Sequence, residues 1–193
     1  MRDLAVLAFA TLDGVMQAPG TADEDRSGGF AYGGWATPYW EGTMAHVLET
    51  AMAEPYDILL GRTTYDLFAS HWPTAPASPA SERLNGGTKY VVTGTPLTTD
   101  WPTSHAVTGD LKGAITELKA SDGPPLQVHG SARLVQALVT HGLVDEFRIW
   151  TFPVLVGQGK RLFDGAGAGQ AMTCVGARAL DNGVVSQVYR PAA

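Results

Sequence analysis

Hydrophobic and polar positions follow two rhythms along this chain, broken by one long stretch with neither. Leu4 to Ala10 is a short, almost wholly apolar run, the pattern of a strand covered on both faces. Thr11-Leu12-Asp13-Gly14 ends it. From Val15 to Thr37 no period is sustained. Gly20, Gly28, Gly29, Gly33 and Gly34 are mixed there with Asp23, Glu24, Asp25, Phe30, Tyr32 and Trp35, which predicts a long loop of the kind that carries function. Thr37-Pro38 then supplies a cap and a first-turn proline. Met44, Val47, Leu48 and Met52 keep helical spacing to about Glu54, where Pro55 stops the helix.

The same reading predicts a second strand over Tyr56–Gly61 and a helix from Thr63 to about Ser70, with Tyr65 and Phe68 inward. Pro73, Pro76 and Pro79 predict a loop. Strands follow at Lys89–Thr93 and Ser104–Val107. Asp110 caps a helix through Lys119 with Leu111, Ala114, Ile115 and Leu118 on one stripe. A fifth strand, Leu126–His129, turns through Gly130-Ser131 into a helix that places Leu134, Val135, Leu138 and Val139 inward and ends before Gly142. The last fifty residues change character. Glu146–Val156, Met172–Leu180 and Val184–Tyr189 read as strands, the last two joined by an Asp181-Asn182-Gly183 hairpin turn, and Cys174 reads as a buried small hydrophobe. The sum is an α/β chain with a mixed, mostly parallel central sheet, helices on both faces and an antiparallel C-terminal hairpin, expected as one domain over residues 1–193.

Composition narrows the function classes. A net charge of −6 and no Lys/Arg run disfavour a nucleic-acid or anionic-membrane binder. No apolar stretch approaches the ~18 residues of a membrane helix. One cysteine excludes an intrachain disulfide and fits a reducing, cytoplasmic setting. His46, His71, His105, His129 and His141 show no paired metal-ligand spacing, so no metal is expected. Gly157-Gln158-Gly159-Lys160 imitates a phosphate loop but precedes no helix, which removes the dinucleotide fingerprint there.

Three predicted strand ends open into small or hydroxylated residues: Gly61-Arg62-Thr63-Thr64, Thr93-Gly94-Thr95 and His129-Gly130-Ser131-Ala132. Two of them start helices, whose free N–H groups bind anions. These turns read either as plain turn and cap chemistry or as one extended site at the carboxyl ends of the strands. Arg62 and Arg133, cations near helix starts where the dipole does not favour them, point to a bound anion. His129 reads as a nicotinamide contact or as a hydrogen-bonded core histidine.

Taken in order, Thr11-Leu12-Asp13-Gly14, Gly61-Arg62-Thr63-Thr64-Tyr65, Val92-Thr93-Gly94, His129-Gly130-Ser131-Ala132-Arg133-Leu134, Leu143-Val144-Asp145-Glu146 and the run from Pro153 to Phe163 resemble the dihydrofolate reductase-like family. That family includes the reductase domain of the bifunctional riboflavin-biosynthesis deaminase/reductase. The resemblance implies an NADPH-dependent reductase that transfers hydride to a small heterocyclic or imine-bearing substrate. Alternatives are the pyrimidine reductase of riboflavin biosynthesis, or a non-catalytic nucleotide- or drug-binding protein on the same fold. It also implies that Arg62, Thr63 and Thr64 hold cofactor phosphates, with Gly61 in their turn. Thr93 and Thr95, flanking Gly94, would meet the adenosine side, and Gly130, Ser131, Ala132 and Arg133 the pyrophosphate. The family's Gly-Gly is Gly130-Ser131 here, and the seryl hydroxyl can cap the following helix. Asp13 or Glu41 would polarise the substrate or relay a proton. Trp35 and Trp40, with Phe30 and Tyr39, would wall a flat heterocycle, and Thr151 would face it. A homodimer is expected through Phe147, Ile149, Trp150 and the last strands.

Overall fold

Strands that are apolar on both sides need a layer on each face, and the chain order of the helices supplies both. The computed structural model describes residues 1–98 and 100–192. It contains β1 (Leu4–Thr11), α1 (Trp40–Thr50), β2 (Asp57–Gly61), α2 (Arg62–His71), α3 (Pro79–Gly86), β3 (Lys89–Val92) and β4 (Ser104–Val107). After these come α4 (Leu111–Ala120), β5 (Leu126–Val128), α5 (Ala132–Thr140), β6 (Glu146–Phe152), β7 (Met172–Ala179) and β8 (Val185–Pro191). All eight strands join one sheet in the order β4-β3-β2-β5-β1-β6-β8-β7. The first six pair in parallel, and β8 runs antiparallel to both β6 and β7.

From β1 the chain steps through β2 to β3 in one direction, and from β4 through β5 to β6 in the other. Right-handed crossovers therefore send α1, α2 and α3 to one face and α4 and α5 to the other. The buried side chains sort accordingly. Leu7, Ile58, Leu60, Trp150 and Phe152 meet Val47, Tyr65 and Leu84, while Val6, Leu59, Val128, Phe147 and Ile149 meet Ile115, Leu134 and Leu138. On the second face, β6 and β8 extend beyond α5. A cavity of about 580 Å³ opens there, lined by Phe147, Ile149, Thr151, Gln187 and Tyr189.

Three expectations are corrected. The proline-rich stretch is not all loop, because α3 begins at Pro79. A proline at the first helical position gives up no intrahelical bond, and Ser78 and Ser81 close a capping box. Cys174 is exposed, since β7 is an edge strand with no layer over it. Trp150 is 1% exposed beneath α1, where its Nε1 donates to His46 Nδ1 at 3.2 Å, so it forms no contact surface. In β7 the pairing register with β8 shifts between Cys174 and Gly176, a β-bulge.

At the amino end of the sheet, Arg2 and Asp57 form a buried ion pair, and Arg2 Nε also donates to Pro124 O at 2.6 Å. Tyr56 is buried with its hydroxyl unpartnered among the described residues. Removing an unpaired buried hydroxyl relieves a desolvation cost, so Tyr56→Phe should leave stability unchanged or raise it by about 1 kcal/mol. A lowered urea midpoint would show that the hydroxyl has a partner.

Candidate functional site

The chain leaves β1 toward β2 and leaves its neighbour β5 toward β6. Connections that diverge from adjacent parallel strands open a crevice at their carboxyl ends. Thr11–Gly14 forms one lip and His129–Ser131 the other. Beside them, Gly61 N donates to Gly130 O at 3.1 Å, joining the ends of β2 and β5. A Cβ on Gly61 would lie 2.6 Å from Ser131 Oγ, and Gly130 has φ +122°, a region that only glycine adopts readily. Two of the three turns read from the sequence therefore meet backbone to backbone.

The helix starts differ in how their free N–H groups are met. Ser78 caps α3, and Asp110 caps α4 by accepting from Gly113 N at 2.8 Å. α1 has no side-chain cap either, but it continues a 3₁₀ turn in which Trp40 N donates to Thr37 O. At α2 and α5 no side chain caps the first turn, and Ser131, expected as a cap, does not act as one. These two uncapped helices begin at the crevice. Their amides and positive dipole ends form a cradle suited to phosphate oxygens, and the residues present fit a dinucleotide on that ground.

Arg62 is already engaged. Its Nε bonds the Asp66 carboxylate at 2.8 and 2.9 Å, Nη1 donates to Thr95 Oγ1 and Pro96 O, and Nη2 donates to Thr98 Oγ1. It ties the loop after β3 onto α2. Thr93 Oγ1 accepts from Thr95 N at 3.1 Å and donates to Thr95 O at 2.9 Å, which closes the turn around exposed Gly94. Thr64 Oγ1 faces Gly130, and Thr63 is exposed. Ala132 opens α5 as a buried residue. Arg133 is exposed and makes no hydrogen bond or ion pair among the described residues.

Asp13 fastens two loops. Its carboxylate accepts from Thr11 Oγ1 at 2.6 Å, Gly157 N at 2.8 Å and Val156 N at 3.3 Å, and Arg161 donates to its carbonyl. The Thr11 hydroxyl, then the backbone amides, hold the carboxyl below its ordinary 3.8. The group is an ionised acceptor. An Asp13→Asn side chain meets donors with a donor, so the variant should lose about 1–2 kcal/mol at neutral pH. The carboxylate's contribution is complete above its unfolded pKa and is lost as pH falls through the depressed folded value. The difference between wild type and variant in urea melts should therefore shrink in strong acid. A difference independent of pH would remove the charge from the explanation.

The proposed substrate residues are divided by the sheet. Trp35 is buried, its Nε1 donating to Gln17 O at 2.8 Å and its ring 5.2 Å from Phe152. Trp40 is 37% exposed at the start of α1, with its ring edge-on to Phe9 at 5.6 Å. Glu41 follows it in the exposed first turn. Thr151 lies on the opposite face in the α5-side cavity, because β6 alternates and gives Trp150 and Phe152 to the α1 side. The structure does not bring Thr151 together with Trp40. Phe9, which the sequence reading passed over, is the half-buried aromatic among Trp40, Trp150 and Phe152. Its place in β1's alternation was the available signal.

His129 stacks on Tyr56 with ring centres 5.6 Å apart and meets the edge of Phe68. Burial alone lowers its pKa from 6.5 to about 4. Among the described residues no group of three or more His, Cys, Asp or Glu is arranged to hold a metal ion, and no helix is long and apolar enough to cross a membrane.

An eight-stranded, mostly parallel sheet with an antiparallel C-terminal pair, helices on both faces and a crevice at the strand ends is the dihydrofolate reductase-like α/β fold, a reductase-family architecture. Within it, the chain belongs to the RibD C-terminal domain family, whose model matches residues 2–186. A relative in Bacillus subtilis (strain 168), the uncharacterised protein YyaP, is 29% identical over 136 residues, covering 68% of this chain and 72% of its own. Among solved structures, a putative riboflavin biosynthesis protein from Shewanella sp. PV-4 superposes with TM-score 0.72 at 18% identity, covering 99% of both chains. A pyrimidine reductase-like protein from Corynebacterium diphtheriae gives 0.67 at 12%, covering 100% of this chain and 92% of its own. A dihydrofolate reductase from Enterococcus faecalis, complexed with NADP(H) and RAB-propyl, gives 0.62 at 12%, covering 99% and 97%.

Proposed function

We propose that this protein is an NADPH-dependent reductase that passes hydride to a small heterocyclic or imine-bearing substrate held in the crevice between β1 and β5. The observation that carries the reading is the pair of uncapped helix starts, α2 and α5, meeting at the Gly61–Gly130 contact, where an extended diphosphate finds backbone donors from two strands' turns. When bound, the cofactor supplies the hydride. The chain's residues hold and orient. Gly61 and Gly130 allow close backbone approach, the α5 amides with Arg133 meet the pyrophosphate, and Asp13 fastens the Thr11–Gly14 lip to the loop at Val156 and Gly157. Thr63, Thr64, Thr93, Gly94 and Thr95 complete the cofactor's border. Family membership and the pyrimidine reductase-like neighbour favour an aminopyrimidine of riboflavin biosynthesis as one form of this substrate.

Titration with NADPH and, separately, NADH, followed by quenching of the five tryptophans, tests the reading. Saturable binding with preference for NADPH is expected, and failure of both cofactors to bind removes the proposal. Because Arg133 is unengaged while Arg62 is committed to the loop after β3, Arg133→Ala should weaken NADPH about tenfold without lowering stability. Arg62→Ala should instead lower the melting temperature. Equal affinity in Arg133→Ala and wild type would reassign the phosphate contact.

The reading includes a soluble, cytoplasmic homodimer. The exposed outer strand β7, with β8 beside it, is its contact surface, because Phe147 and Ile149 are 3% and 8% exposed and, like Trp150, belong to the core. A monomer in light scattering at micromolar concentration would overturn it.

A further inference from the structure

Crevice and sheet together separate two kinds of contact. The Gly130 turn leads to α5, on the α4–α5 face. The side chain before it, His129, follows Gln127 in β5's alternation and lies on the other face, where Phe68 of α2 touches it. On that face α1 packs over β1 and β6 through Trp40–Phe9 and His46–Trp150, and α2 packs over β2 and β3. The end of β5 is the strip of sheet left between the two helices, and His129 is the half-buried polar group on it.

The protonation pattern of His129 follows from its neighbour. Gln127 Nε2 donates to the carbonyl of Ala51 at the end of α1, which leaves Gln127 Oε1 as an acceptor. That oxygen lies 3.2 Å from His129 Nε2, so Nε2 carries the ring proton. In the neutral ring, Nδ1 is then a bare lone pair. It has no hydrogen-bond partner among the described residues, and it is not sealed from solvent in the way that Tyr56 Oη is.

We propose that His129 is a specificity-determining residue, its Nδ1 accepting a hydrogen bond from an N–H of the bound heterocycle. The proposal rests on the reductase reading for its choice of ligand. A ring amino group or protonated ring nitrogen satisfies the lone pair. A carbonyl or ether oxygen at the same place sets two acceptors against each other and leaves Nδ1 unpaired in a drying site. The residue is not the proton source for reduction, because its one proton is held by Gln127 on the side away from the ligand.

Binding of 2,4-diaminopyrimidine, which offers N–H donors, is compared with that of 2,4-dimethoxypyrimidine, which offers none, with and without NADPH. Wild type should prefer the diamino compound by about tenfold or more. His129→Leu should abolish the preference. His129→Asn, whose amide oxygen can stand near the position of Nδ1, should keep most of it. NADPH affinity should stay within about twofold in all three, since the cofactor cradle, made of backbone amides and Arg133, lies across the turn. Preference that persists in His129→Leu, its absence in wild type, or a parallel fall in NADPH affinity would each overturn the assignment. Discrimination by a wild type that does not bind NADPH would sink the reductase reading and leave the acceptor role standing, and NADPH binding without discrimination would do the reverse.

Discussion

Asp57→Ala should destabilise the fold by about 3–5 kcal/mol, because it strands the buried guanidinium of Arg2. The two side chains are 10% and 2% exposed, and Asp57 also accepts from Thr88 N at 3.0 Å. Arg2 Nη1 has no partner among the described residues even with Asp57 present, and a cation–π approach to Tyr90 at 5.7 Å offers partial compensation. Against a total stability of about 5–15 kcal/mol such a loss is severe. The pair itself is not a source of net stability. Replacing both partners, Arg2→Met with Asp57→Leu, should recover most of the loss, and urea unfolding of the three variants measures this. A double variant as unstable as the single one would show that the pair has a value beyond charge neutralisation.

Wild type should also lose stability between pH 6.5 and 4 more steeply than His129→Leu does. Folded His129 binds its second proton only near pH 4, whereas the unfolded chain binds it near 6.5, so across that interval the unfolded state holds more protons. Stability therefore rises with pH there, by up to about 1.4 kcal/mol per unit and about 3 kcal/mol across the window. The cause is the ring's place between Tyr56 and Phe68, which strips an imidazolium of much of its hydration even though Nδ1 is not sealed from solvent. Urea midpoints at pH 7.5 and 5.0 for both proteins isolate the effect from the carboxylates, which both share. Parallel losses would assign it to other groups.

The elements were largely legible because their signals are local. The helix opened by Asp110 and the strands around Ile58 and Val128 follow from spacing and caps, and their ends differ from the reading by only a residue or a few. α3 was missed where prolines were read as breakers, although Ser78-Pro79 is a true cap-and-proline start, whereas Thr37, read as a cap, opens a 3₁₀ turn ahead of α1 and donates its hydroxyl to Gly20 O instead. The site was legible only in its glycine and threonine turns. That they meet depends on β5 slipping between β1 and β2, a crossover that no local pattern records. Asp13 looked chemical because its partners, Val156 and Gly157, are more than 140 residues away. Thr151 was placed toward the heterocycle by resemblance, although β6's own alternation sends it to the other side of the sheet from Trp150.

The bulge in β7 bears on solubility during synthesis and storage. This strand ends the sheet with a row of exposed residues that includes Val175, and a regular strand there would offer a template to any passing extended chain. The shift between Cys174 and Gly176 puts the two halves of the edge out of step, so an incoming strand can match one half or the other but not both. Copies of this protein can then associate through faces, which close, while the β7 edge resists the open-ended strand addition that would polymerise them.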